Sequence, residues 1–250
     1  MRSASSCFRV ARRSTSLAAA GFALVVASPA SAQPPDPALM ERLTHHLDAI
    51  KEIGKRASLH LDLRTEELDG DGKVSSTETQ TSRVEPGGDH PHETIEHATK
   101  DGKDTTAEAR EKAKKDEEEA AKKKGKDDDP KLTLPFEASS ASVYSYDQVS
   151  TDAADPTRVE IAFSPRKPDK HTVEGKAWVD TTTGTILSAG VKMSKPPTFV
   201  DWVHFTVELG EKTALGPALS RMTFEVKGGI LFFKKHLRGE IRMSDYHLAP

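Results

Sequence analysis

The spacing of hydrophobic residues changes early in the chain. After Pro34-Pro35, Leu39, Met40, Leu43, Leu47, Ile50 and Ile53 recur at helical intervals up to Gly54, and Asp36-Pro37 supplies a capping carboxylate followed by a residue suited to the first helical position. The period then falls to two. Leu59, Leu61 and Leu63 alternate with His60, Asp62 and Arg64, and residues 73–84 form a second strand rich in Ser and Thr. Residues 142–150 and 158–163 read as further strands, the latter with Val159, Ile161 and Phe163 on one side. The last third repeats the pattern. Val173, Ala177 and Val179 oppose Glu174, Lys176 and Trp178; residues 181–184 turn the chain at Gly184, and residues 185–193 return. Val203, Phe205, Val207 and Leu209 oppose Trp202, His204 and Thr206, while Met222, Phe224 and Val226 share a side. After Gly228-Gly229 a final strand runs past Phe232-Phe233 towards Ile241, Met243 and Tyr246. About nine strands and one main helix result, and their short links predict antiparallel neighbours in a meandering sheet, an α+β fold that is mainly antiparallel β.

Composition changes sharply inside this pattern. Residues 85–131 hold a polar, histidine-bearing turn segment and then a run of Ala, Glu and Lys. Glu108 with Lys112, Glu111 with Lys115, Glu118 with Lys122 and Glu119 with Lys123 stand four apart with the acid first, which supports an exposed helix. With no apolar stripe, this stretch is expected to be a charged helical or disordered insertion that does not dock through one apolar face. It interrupts a single domain spanning residues 33–250.

The chain ahead of that domain is of another kind. Arg2, Arg9, Arg12 and Arg13 precede an apolar run from Leu17 to Val26, and Ala30-Ser31-Ala32 follows, which is the pattern of a signal peptide over residues 1–32 cleaved before Gln33. The run is shorter than the roughly 20 residues of a spanning helix. Cys7 is the only cysteine and lies in this leader, away from a lipidation point, so the exported chain is expected to have no thiol and no disulfide. Losing four arginines and no acid takes the formal charge from −3 to −7. Bulk charge of that sign argues against nucleic acid as a partner.

Two constellations invite chemistry. Residues 67–78 place oxygen-bearing side chains, among them Glu67, Asp69, Asp71 and Glu78, near the ligand positions of an EF-hand loop, with Gly72 in its sixth position. The entering segment has strand period and the first ligand is Glu, so an Asp-Gly hairpin turn is the favoured reading and a calcium site the alternative. His90, His92 and His97 lie among Asp89, Glu93 and Glu96, but His92 and His97 are five apart, one too many for the two-histidine helix of metalloproteases. No nucleophile stands beside a base and no glycine-rich phosphate loop occurs, so no enzyme and no cofactor are expected.

The words Gly175-Lys-Ala-Trp-Val-Asp180, Gly184-Thr-Ile186, the run of residues 224–233 and Ser244-Asp-Tyr246 give the chain its resemblance. It resembles the outer-membrane lipoprotein-sorting (LolA-like) superfamily of bacterial periplasmic proteins over residues 36–84 and 132–247. The resemblance implies a curved open half-barrel sheet with an N-terminal helix packed on it, and an apolar cavity for acyl chains. It also implies a monomeric periplasmic protein whose partner is a lipid or an acylated lipoprotein, with an envelope membrane protein as the partner in related sensory modules. Trp178, Trp202, Phe163, Phe205, Phe224, Phe232, Met193 and Met222 are the candidate cavity residues, and packing against one another is the competing use for the same side chains. Arg64 and Arg83 are candidates by location for the gating arginine of such carriers.

Overall fold

The computed structural model describes residues 33–87, 91–123, 132–230 and 233–249. The leader, His90, Asp89 and Phe232 lie outside them. Helix α1 (Pro37–Arg56) starts where the sequence places it, with Ala38 N–H donating to the Asp36 carboxylate at 3.0 Å. It runs through Gly54 and stops at Ala57, whose backbone is already extended.

Among the described residues eleven strands follow in one antiparallel sheet: β1 (Ala57–Leu68), β2 (Val74–Glu85), β3 (His92–Lys100), β4 (Lys103–Asp104), β5 (Tyr144–Thr151), β6 (Arg158–Pro165), β7 (Val173–Asp180), β8 (Thr185–Met193), β9 (Val200–Thr213), β10 (Gly216–Ile230) and β11 (Phe233–Leu248). Their spatial order is β4-β3-β2-β1-β11-β10-β9-β8-β7-β6-β5. The first four and the last seven strands each form a meander, and the two meanders join where β1 pairs with β11. Strands β4 and β5 are consecutive in sequence and stand at opposite edges, so the sheet is an open half-barrel and the charged segment between them links one edge to the other.

Two stretches depart from the sequence reading. His92–Lys100 is a strand inside the segment assigned to the insertion, pairing with β2 through Ser82–Ile95 and Gln80–Ala98. Helix α2 (Thr106–Lys123) forms as the Glu–Lys spacing predicts, yet it docks on β3 without an apolar stripe. Its anchors are polar. Arg110 donates to the carbonyls of Ile95 at 2.8 Å and Glu96 at 3.0 Å, and the Thr106 hydroxyl accepts from Ala98 N–H at 3.0 Å. A short edge strand leaves backbone groups without a neighbour, and side chains that meet them hold a helix where apolar area is scarce.

Paired residues point to the same side of a sheet, so the register fixes both faces. Ile161, Ala177, Ala189, Val207, Met222, Ile241 and Leu63 form one row across seven strands, from β6 to β1. The next row is Phe163, Gly175, Val191, Phe205, Phe224, Gly239 and Thr65. These rows make the helix face. The opposite, outer face alternates charge, as in Glu174, Lys192, His204, Glu225, Arg238 and Glu66. Such a sheet buries one side and wets the other.

Helix α1 lies over β8 and β10. Leu39 and Leu43 join Phe136, Tyr144, Val159, Ile161, Phe163, Val179, Ile186 and Leu209 in the main core, with Met40, Leu47 and Ile50 packed against it. Ile53 and Ala57 meet Ala218, Tyr246 and Leu248 at the other end of the helix. Tyr144, fully buried, donates from its hydroxyl to Thr133 O at 2.7 Å and accepts from Val173 N–H at 3.1 Å, which ties the loop before β5 to the start of β7.

His46 pins the same helix by its backbone neighbours. Its Nδ1 accepts from Ile186 N–H at 2.9 Å, so Nε2 carries the proton and donates to Pro217 O at 3.3 Å. Burial holds its pKa below 6.5, partly offset by the Pro217 bond. The neutral ring is the folded form, so its contribution to stability is present above pH 6.5 and is lost as pH falls through the depressed folded value. Protonation at Nδ1 strands the Ile186 N–H, a cost of about 1–3 kcal/mol. Urea unfolding at pH 7 and pH 5 is expected to show a smaller acid loss in His46→Gln than in the parent chain; equal losses would assign the acid sensitivity elsewhere.

Candidate ligand-binding face

The two apolar rows continue beyond the area packed under α1. Phe205, Met222, Phe224, Ile241 and Leu63 lie outside the buried clusters and are only partly buried, although they share a face with them. Helix α1 stands over β8–β10 on one side of this strip and α2 over β3 on the other, so the strip forms the floor of a trough across β9, β10, β11 and β1. Glycine sets its depth. A Cβ on Gly239 would come 2.3 Å from Phe224 Cζ and 2.8 Å from Arg64 O, so the bare backbone there lets the Phe224 ring lie flat across β11.

The candidate residues separate by face. Phe163 belongs to the filled core, edge-on to Phe136 at 5.7 Å and to Tyr144 at 6.4 Å. Met193 pairs with buried Val173 at the far end of β8. Phe205, Phe224 and Met222 line the open trough. Trp178 pairs with Glu160 and Ser188 on the outer face. Trp202 is there too, 4.8 Å from the His204 ring and 5.6 Å from the His236 ring. The two tryptophans and the three trough residues therefore do not share one cavity, and Phe232 is outside the described residues. Sequence reasoning omitted Ile241 and Leu63, which its own alternation placed on apolar sides; β10 pairs Met222 with Ile241, and only the pairing of β1 with β11 adds Leu63 to the row.

Two clefts flank this strip without involving α1. One, of about 660 Å³, lies between α2 and the helix face of β1–β3, floored by Leu63, Ile95, Ala98, Ala109 and Ala113. The other, of about 510 Å³, is on the outer face, where Thr206 and Thr223 form a low row between Arg64, Glu66, Arg238, Glu225 and Glu240. Its charges are largely spent on each other. Glu66 accepts from Arg64 at 2.8 Å and from Arg238 at 2.6 Å, and these two bonds hold its carboxyl below the usual range. Arg64, the candidate gate, thus faces away from the trough, and Arg83 sits on the outer face beside His60 at 3.1 Å.

The alternative calcium loop resolves into a hairpin turn. The Asp69 carboxylate accepts from Asp71 N–H and Lys73 N–H, both at 2.9 Å, and Gly72 takes φ +79° to close the turn. Glu78, the would-be bidentate ligand, is in the middle of β2 and accepts from Lys100 Nζ at 2.6 Å. Glu67 lies 3.6 Å from Lys235. Strand pairing of β1 with β2 pulls these carboxylates apart, where an EF-hand would need helices to gather them. Among the described residues no group of three or more His, Cys, Asp or Glu is placed to hold a metal ion. His92 lies 3.6 Å from Glu117 of α2, and His97 is on the outer face opposite Thr81.

Among the described residues no helix is long and apolar enough to cross a membrane. No protein-family profile matches the sequence, and no curated protein matches it. Among solved structures the chain is similar to a LolA superfamily protein from Nitrosomonas europaea, with 9% identity over 85% of this chain and 93% of that one and a TM-score of 0.34. It is also similar to MucB of Pseudomonas aeruginosa in its complex with MucA, with 13% identity over 81% of this chain and 94% of that one and a TM-score of 0.23. A crystal structure of MucB alone gives 12% identity over 85% and 95% of the two chains and a TM-score of 0.23. The assignment of an open half-barrel rests on this chain's own strand order and register.

Proposed function

We propose that this is an exported, non-enzymatic binding protein of the bacterial envelope that receives an acyl chain, from a lipid or an acylated polypeptide, in the trough on its helix face. The observation that carries the reading is the continuation of the apolar rows past α1 into partly buried Phe205, Met222, Phe224, Ile241 and Leu63. A packed sheet seldom leaves neighbouring large apolar side chains partly open on its inward face, and each methylene laid on them contributes about 0.8 kcal/mol. The signal-peptide pattern of residues 1–32 supports placing this surface in the periplasm.

The test is uptake of a fluorescent fatty acid by the processed chain, together with native mass spectrometry of protein purified from the periplasm. Placing a carboxylate on the floor by Met222→Glu or Phe205→Glu is expected to weaken uptake by at least about tenfold, because the charge must be desolvated beneath the chain. No uptake and no co-purifying lipid in the parent chain, or equal uptake by folded variants, would end this reading.

A further inference from the structure

The cleft beneath α2 has a different character from the trough. Its floor is apolar, made by Ile95 and Ala98 of β3 and by Ala109 and Ala113, which turn from α2 towards the sheet. Its rim is acidic. Glu78 and Lys100 neutralise each other at 2.6 Å, leaving Glu93, Glu108, Asp116 and Glu117 against Lys112. Among the described residues Glu93 accepts a neutral amide bond from Gln80 at 2.8 Å and has no ion-pair partner. Glu108 and Asp116 have no ion-pair partner among the described residues, and Glu117 has only His92 at 3.6 Å. Other acids of α2 are directed elsewhere, with Glu111 paired to Lys115 at 2.7 Å and absent from the cleft.

This asymmetry is not needed to hold the helix. The bonds from Arg110 and Thr106 to the β3 edge fix the first turns of α2, while the acids at 116 and 117 line the cleft further along the helix. A volume of about 660 Å³ lies within the range of ligand sites, and a uniformly hydrated helix would not need its unpaired acids on the side facing an apolar floor. We infer that the cleft between α2 and β1–β3 is a docking site for a basic amphipathic peptide segment of a partner protein, whose apolar side chains rest on Ile95, Ala98, Ala109 and Ala113 while its lysines or arginines meet Glu93, Glu108, Asp116 and Glu117. Long basic side chains suit this cleft, because their methylene stems cover apolar surface while their charges reach the rim. Leu63 borders both the cleft and the trough, but the residues varied below line the cleft and not the trough, so either reading can fail without the other.

The experiment is fluorescence anisotropy with the processed full chain and a short labelled peptide of alternating lysine and leucine. Its counterpart of alternating glutamate and leucine is expected to bind at least about tenfold more weakly, and added salt is expected to weaken the basic peptide. The combined variant Glu108→Gln, Asp116→Asn, Glu117→Gln should lose roughly tenfold in affinity, whereas Glu111→Gln with Glu118→Gln, which removes charge from α2 outside the cleft, should lose little. Ala109→Trp, which fills the floor, should abolish binding with helix content unchanged by circular dichroism. Equal affinity for the two peptides, equal losses from the two sets of charge variants, undiminished binding by Ala109→Trp, or binding to vesicles doped with a cationic amphiphile but to neither peptide would overturn the assignment.

Discussion

Leu43→Ala is expected to destabilise the protein by about 2–5 kcal/mol, read as a lowered urea midpoint with an unchanged slope. Leu43 is fully buried in the first half of α1, within the cluster that takes in Val179, Ile186 and Leu209. Truncation removes the transfer free energy of its side chain and leaves a cavity that a rigid sheet beneath does not close. In a domain of this size about 1 kcal/mol moves the melting temperature by roughly 2–4 °C, so a fall of roughly 10 °C is the expected thermal result. Leu47→Ala, at a partly buried position on the same side, should cost less. If both cost under about 1 kcal/mol, α1 is not seated on the core as described.

Gly184→Ala is the second large effect, and its cause is not visible from the turn alone. Gly184 has φ +72°, which costs an L-residue roughly 1–2 kcal/mol. The greater difficulty comes from outside the hairpin. A Cβ at 184 would lie 2.2 Å from Arg42 Cβ and 3.0 Å from Arg42 C, so the first half of α1 rests directly on this turn. Arg42 also donates to Thr181 O at 2.9 Å, and that bond would be lost if the helix moved away. Strain and overpacking together predict a loss of about 2–4 kcal/mol by chemical unfolding. Gly72→Ala makes the comparison, since it has φ +79° with nothing within 4 Å of the added methyl. Gly184→Ala should cost distinctly more than Gly72→Ala; equal costs would mean the backbone conformation, and not helix docking, accounts for both.

Much of the half-barrel was legible because each strand announces its sides. The alternation of Val203, Phe205 and Val207 against Trp202, His204 and Thr206 is the division observed across β9. The Asp36 cap and the Asp69 to Gly72 turn were likewise readable, because caps and tight turns depend on a few neighbouring residues. Strand β3 was hidden for the opposite reason. His92–Lys100 is mostly polar and exposed, with Ile95 and Ala98 alone buried, and a bulge between Thr81 and Ser82 spoils the simple period in its pairing with β2. Its partner surface comes from α2, which the lack of an apolar stripe had assigned to solvent.

The candidate site was legible only in part. Composition singled out the aromatics but could not sort them, and the two tryptophans, chosen because they opposed the core runs, proved to belong to the outer face. Gly239 carried no signal in the sequence, although it admits the Phe224 ring.

By itself the sequence determined the first helix, the sidedness of most strands and the antiparallel meanders, because periodicity and turn chemistry act over a few residues. Tertiary structure alone decided that β1 lies beside β11, that α1 rests on Gly184, that α2 caps the β3 edge and that Leu63 and Ile241 join Met222 in an open floor. A strand specifies which of its residues share a face, but its neighbour is chosen by the burial and backbone pairing available from the whole chain, and no local pattern contains that choice.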